Sequence, residues 1–172
     1  LAEMAGNNRG AHNMPCFMGC GAYGHFYPVL IDQLISRGEF LTSYTPYQAE
    51  ASQGSLQAFF EFQTQIARLT GLDIANASLY EGATAVAEAA LLAINTSKHS
   101  DLLVASTMHP EYIAVLRTVL SDLPITLTML EATDGHIAPR TVKTAITDDT
   151  AAVIVQSPNV WGQIEDWSGC FE

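Results

Sequence analysis

Hydrophobic and polar positions change their rhythm twice along the 172 residues. Up to about residue 45 there is no steady period, only Gly, Asn, Pro and aromatics. Within that stretch, Pro28–Ser36 carries Val29, Leu30, Ile31, Leu34 and Ile35 at spacings that suit a short helix. From Gln48 to Thr70 a helical period takes over, with Leu56, Phe59, Phe60, Ile66, Ala67 and Leu69 on one face and Gly71 as a stop. An Ala-rich run, Ala85–Ile94, predicts a further helix on propensity alone.

Beyond Asp101 short apolar runs alternate with single amphipathic segments. Leu102–Ala105, Ile125–Leu130 and Ala151–Val155 predict buried strands. Pro110–Leu120 and Pro139–Ile146 predict helices, each with proline in its first turn. Apolar strands joined by one helix each indicate βαβαβ and a mostly parallel sheet covered on both faces. The expected organisation is an N-terminal arm with a short helix over 1–45 and an α/β domain over 46–172. Arms without regular structure generally act by packing on a partner or a site.

Composition narrows the possibilities. Apolar residues make up 48% of the chain, enough for a cored domain, yet no run nears the ~20 residues needed to span a bilayer. Seven basic against eighteen acidic residues give a net charge of −11, which phosphate backbones repel, so nucleic acid is not an expected partner. Three cysteines, Cys16, Cys20 and Cys170, suit a reducing, cytoplasmic setting better than a disulfide framework. Cys16 and Cys20 lie near His12 and His25, but no second Cys/His pair follows, so buried thiols are favoured over zinc. The chain begins at Leu1 with no basic segment leading into an apolar one, so no export signal is visible.

In doubly wound sheets ligands bind beyond the carboxyl ends of the strands, which selects three segments. Ser78–Thr84 is a turn of small residues entering the Ala-rich helix, where backbone N–H groups and the helix dipole suit a phosphate. An ordinary cap would look the same, and Glu81 stands where an anion would be repelled. Ser106–Pro110 brings His109 to a strand end, either to stack on a heteroaromatic ring or to pack at a helix start. Gln156–Gly162 brings amide and hydroxyl groups, Asn159 among them, to a third strand end, or simply makes a turn fixed by Pro158 and Gly162. Glu165 and Asp166 behind it read as solvated. No Gly-x-Gly-x-x-Gly, Walker lysine or Gly-x-Ser-x-Gly elbow is present, so dinucleotide, ATP and serine-hydrolase readings lack support.

Thr45-Pro46-Tyr47-Gln48-Ala49-Glu50, Ser52-Gln53-Gly54, Gln63-Thr64, Leu69-Thr70-Gly71 and Ala75-Asn76-Ala77-Ser78 occur in that order. This series resembles the glycine cleavage system P-protein, glycine dehydrogenase (decarboxylating), in its α subunit or the N-terminal half of single-chain forms. Tyr23, Ser36–Phe40, Glu81–Ala85, Ala87–Ala89 and Gln156–Asn159 fit it too, so the resemblance extends from about Gly19 to Asp166. It implies a fold-type-I pyridoxal phosphate transferase architecture, three-layer α/β/α, present here as part of a large domain. It implies glycine decarboxylation, with the aminomethyl group passed to the lipoyl arm of H-protein. The cofactor in such enzymes supplies the electron sink left necessary by CO2 loss.

By the same resemblance, Gly82, Ala83 and Thr84 match the phosphate turn and His109 the ring-stacking histidine; Asn159 joins these expected cofactor-binding residues by its place at a strand end. The only lysines, Lys98 and Lys143, follow no later strand, and no Asp for a pyridine nitrogen is found. In two-subunit P-proteins that lysine belongs to the β subunit. The implied assembly is therefore α2β2, with pyridoxal phosphate held by the β partner and no catalytic residue assigned here. Family α chains are much longer, so a fragment is expected, poorly soluble alone because its sheet edge is bare. A non-catalytic scaffold of the same fold stays open, as does another fold-type-I enzyme such as a cysteine desulfurase or amino-acid decarboxylase.

Overall fold

A computed structural model of the chain describes residues 1–10, 13–15, 17, 24–41 and 45–170. The considered zinc residues His12, Cys16 and Cys20 lie outside them, as does Tyr23. Among the described residues no group of three or more His, Cys, Asp or Glu side chains could hold a metal. The chain divides into two compact units, Leu1–Leu69 and Thr70–Glu172.

The first unit is helical. It contains α1 (Ala2–Gly6), α2 (Leu30–Ile35), α3 (Gly38–Leu41) and the long α4 (Gln53–Thr70). The sequence expects α4 to begin at Gln48. Instead Gln48 and Ala49 accept three-residue turn bonds from Ala51 and Ser52, and the first helical bond runs from Leu56 N to Ser52 O. Serine favours this boundary because its hydroxyl competes with helix continuation. No residue of α4 is buried, and Phe60 and Leu69 of its apolar stripe are exposed.

The second unit holds α5 (Gly82–Ser97), β1 (Asp101–Ala105), α6 (Pro110–Leu120), β2 (Thr126–Leu130), α7 (Pro139–Ala145), β3 (Thr150–Ile154) and a 3-10 turn at Ser168–Cys170. The strands form a parallel sheet in the order β2-β1-β3. β1 is the centre, and its burial shows it: Leu102, Leu103, Val104 and Ala105 are all buried. Side chains alternate across a strand. Leu102 and Val104 face Ala87 and Ala90 of α5 and Ile113, Leu116 and Leu120 of α6. Leu103 and Ala105 face the other way, onto Leu130, Ile137, Val142 of α7 and Cys170. Two apolar layers on opposite faces of one sheet make the expected three-layer α/β/α arrangement.

α5 is longer at both ends than the Ala-rich run. Alanines bring it within packing distance of the sheet, with Ala83, Ala87 and Ala90 buried on one stripe. It ends at Lys98, whose left-handed backbone (φ 64°) turns the chain into β1. No described helix is long and apolar enough to cross a membrane.

Candidate functional site

The loops after the three parallel strands meet at one end of the sheet. Ser106 N donates to Leu130 O at 3.0 Å, and Ala132 N donates to Ser106 Oγ at 3.1 Å, which joins the loops after β1 and β2. Val160 N donates to Thr107 O at 2.8 Å, which joins the loops after β1 and β3. Between them opens a cavity of about 520 Å³, lined by Ser106, Glu131, Asp134, Gly135, Trp161 and Gln163 among others. A second, of about 460 Å³, lies beside it along His136, Ile137, Gln163, Glu165 and Asp166.

The turn into α5 is capped from within. The Glu81 carboxylate accepts from Ala83 N and Thr84 N, both at 2.6 Å. Thr84 Oγ1 in turn receives Glu81 N at 3.3 Å, so a reciprocal capping box closes the helix start. The cap is glutamate, outside the usual serine, threonine, aspartate and asparagine. Those two backbone donations hold the Glu81 carboxyl below its ordinary value, and the positive end of the helix dipole acts in the same direction. The Ala83 and Thr84 amides that a phosphate would use are thus engaged by an anion of the chain's own.

Gly82 has a different reason to be glycine. A Cβ there would lie against the Tyr112 hydroxyl and 2.8 Å from its Cζ. Tyr112 in turn packs on His109, with ring centroids 5.1 Å apart and planes tilted by 36°. The structure therefore brings the turn residues and His109 together through Tyr112, a residue the sequence reading did not single out.

His109 caps α6. Its Nδ1 accepts from Glu111 N at 3.2 Å, its own N donates to Gln156 Oε1 at 2.8 Å, and Pro110 occupies the first helical position. With Nδ1 used as an acceptor, the neutral ring carries its proton on Nε2. Among the described residues nothing is hydrogen-bonded to that nitrogen.

Asn159 lies apart from this group. It is buried, and all four of its side-chain hydrogen-bonding positions are used. Nδ2 donates to Gly135 O and Glu165 Oε1, each at 2.9 Å. Oδ1 accepts from Trp161 N and Gln163 N, each at 3.0 Å. Glu165 is half-buried and not solvated as its sequence context suggested. It also accepts from Thr107 Oγ1 at 2.9 Å and Ile137 N at 2.6 Å. The spacing Asn159-x5-Glu165 across a Pro- and Gly-containing turn is the only sequence signal for this pair. Asp166 does remain at the surface, accepting from Ser168 N and Oγ, which lower its pKa.

The lysines stand at the other end of the sheet. Lys98 closes α5 just before β1 starts, and Lys143 lies in the last turn of α7, ahead of β3. For pyridoxal phosphate, His109 keeps a ring nitrogen unused among the described residues, but the groups expected to grip the cofactor do not fit it. The phosphate turn is self-capped, the Asn159 amide is saturated, and neither lysine shares an end of the sheet with them.

Comparison with known proteins assigns the family. The family model for the glycine cleavage system P-protein matches residues 1–172. The chain is 49% identical over 158 residues to "Probable glycine dehydrogenase (decarboxylating) subunit 1" of Koribacter versatilis, covering 91% of this chain and 36% of that one. It is 48% identical over 166 residues to the protein of the same name from Lysinibacillus sphaericus, covering 96% and 37%. Among solved structures it is similar to glycine decarboxylase (P-protein) of the glycine cleavage system in inhibitor-bound form. That likeness has a TM-score of 0.85 and 44% identity, over 98% of this chain and 37% of the other. The chain thus spans little more than a third of the length of these relatives. With its sequence matched throughout and its α/β/α layers superposing on a solved P-protein, the chain belongs to the glycine cleavage system P-protein family.

Proposed function

We propose that this chain is part of the α subunit (subunit 1) of a glycine decarboxylase, working with a β subunit that carries the cofactor-holding lysine. The reaction is decarboxylation of glycine, with the aminomethyl group passed to the lipoyl group of H-protein. The assembly is α2β2 and cytoplasmic. Pyridoxal phosphate, held on the β subunit, supplies the electron sink.

One observation carries the division of labour. Of the residues expected to hold the cofactor, the Ala83 and Thr84 amides are engaged by Glu81 and the Asn159 side chain by four partners of the chain itself. His109 is the exception, a half-buried ring with Nε2 unused, and it remains the residue of Gly82, Ala83, Thr84, His109 and Asn159 best placed to pack on a bound ring. Its role toward a ligand is packing, and no proton transfer is assigned to it.

The test is visible absorbance after adding pyridoxal phosphate to the full-length α chain, the β chain, and both. The band of lysine-bound cofactor is expected with β and with the pair, and glycine decarboxylation only with the pair. A stable band on α alone overturns the assignment. Decarboxylation undiminished when α is left out favours a scaffold in its place, a reading to which the saturated Asn159 side chain also lends itself.

A further inference from the structure

We propose that Asn159 and Glu165 are a positioning pair that sets the wall of the 520 Å³ cavity. Asn159 then acts on a ligand at this end of the sheet through Gly135, Trp161 and Gln163, not by touching it. The link to catalysis rests on the function proposed above, while the positioning itself does not.

Three loops converge on the pair. Thr107 comes from the loop after β1, Gly135 and Ile137 from the loop after β2, and Trp161 and Gln163 from the loop after β3. Three of the cavity's lining residues, Gly135, Trp161 and Gln163, are bonded directly to Asn159 through their backbones. Gly135 has φ 78°, a conformation that glycine adopts without strain. The Gln163 side chain lies over it, with Nε2 3.1 Å from where a Cβ would be. Thr107 is fully buried and Asn159 nearly so, so each lost bond leaves a group that water does not readily reach. Donors and acceptors are fully matched: Asn159 offers two of each, and Glu165 accepts three donors on two oxygens. A contact from Asn159 to a ligand would break one of these bonds.

The matching allows a swap that a merely space-filling pair would not notice. In Asn159→Asp the new carboxylate still accepts from Trp161 and Gln163, but it faces the Glu165 carboxylate and Gly135 O with acceptors against acceptors. When Glu165→Gln is added to that variant, the introduced amide donates to the carboxylate now at position 159. The same amide group meets the Thr107 hydroxyl, and its oxygen still accepts from Ile137 N. The experiment is amide hydrogen exchange on the full-length α chain in complex with its β subunit, with glycine KM and kcat measured on the same samples. Asn159→Asp is expected to speed exchange at Ile137 by roughly tenfold, the order a lost hydrogen bond supports, while Trp161 and Gln163 stay protected. The double variant is expected to restore Ile137, and Asn159→Ala to release Trp161 and Gln163. Glycine KM should move with the exchange and return in the double variant. Equal exchange in all variants, or a double variant no better than Asn159→Asp, overturns the pair. An exchange pattern as expected with unchanged KM and kcat overturns its link to the ligand. A wild-type complex that does not decarboxylate glycine sinks the proposed function instead, and the exchange then decides the positioning alone.

Discussion

Tyr112 lays its phenol ring over Gly82 so closely that a single methyl group at position 82 would have no room beside it. The contact joins the first turn of α6 to the first turn of α5, and it steadies His109 from one side. A glycine expected to serve a phosphate serves a tyrosine.

Gly82→Ala should therefore destabilise the chain by about 1–3 kcal/mol, the range for overpacking a fitted contact. The cost should be smaller in a Tyr112→Ala background, since the two residues share the contact. A double-mutant cycle by urea unfolding checks this. Full additivity would show that Tyr112 simply swings aside.

The Glu81 cap predicts a pH dependence. Its carboxyl is held below the ordinary value of 4.5, so the cap contributes fully above that value. Its contribution is lost as pH falls through the lower, folded-state value. Glu81→Gln should lower the urea midpoint at pH 7 and remove part of the acid-side loss seen in the parent. Parallel curves for the two proteins between pH 7 and pH 3 would exclude the cap as the cause.

Leu102 and Leu116 are completely buried in the layer that α5 and α6 form on the sheet. Either one changed to alanine should cost about 2–5 kcal/mol, transfer and cavity terms together. Equilibrium unfolding measures it. A cost under ~1 kcal/mol at both sites would mean that this layer collapses freely around the gap.

Thr107→Val keeps the shape of a fully buried side chain and removes one donor from Glu165. The expected cost is about 1 kcal/mol, since Glu165 retains Asn159 and Ile137. A loss as large as that of Glu165→Ala would show that the hydroxyl, not the carboxylate, is the main tie between the loops.

The sheet was legible because its signals are local. Leu102–Ala105 is apolar without a break, as a strand covered on both faces must be, and Pro110 marks the start of α6 to the residue. Ends of elements were legible only where a residue type dictates them. Lys98 carries no sign that it will adopt a left-handed backbone, and Glu81 does not usually cap a helix. The site was readable as a place but not as a set of bonds. The rule that ligands gather at strand carboxyl ends found the loops after β1 and β3 but not the loop after β2, which supplies Gly135 and Ile137. Whether Asn159 points outward to a ligand or inward to Glu165 depends on residues brought near by folding, and Thr107, Gly135 and Ile137 are far from it in sequence.

The order β2-β1-β3 has a temporal side. Of the three described strands, the one made first sits in the middle and pairs with both of the later two. Until residues 150–154 emerge, the 101–105 segment, apolar on both faces, has one open flank. Nascent chains paused between those points would be natural clients for a chaperone, and slow codons placed there would be felt as lost yield long before they were felt as lost activity.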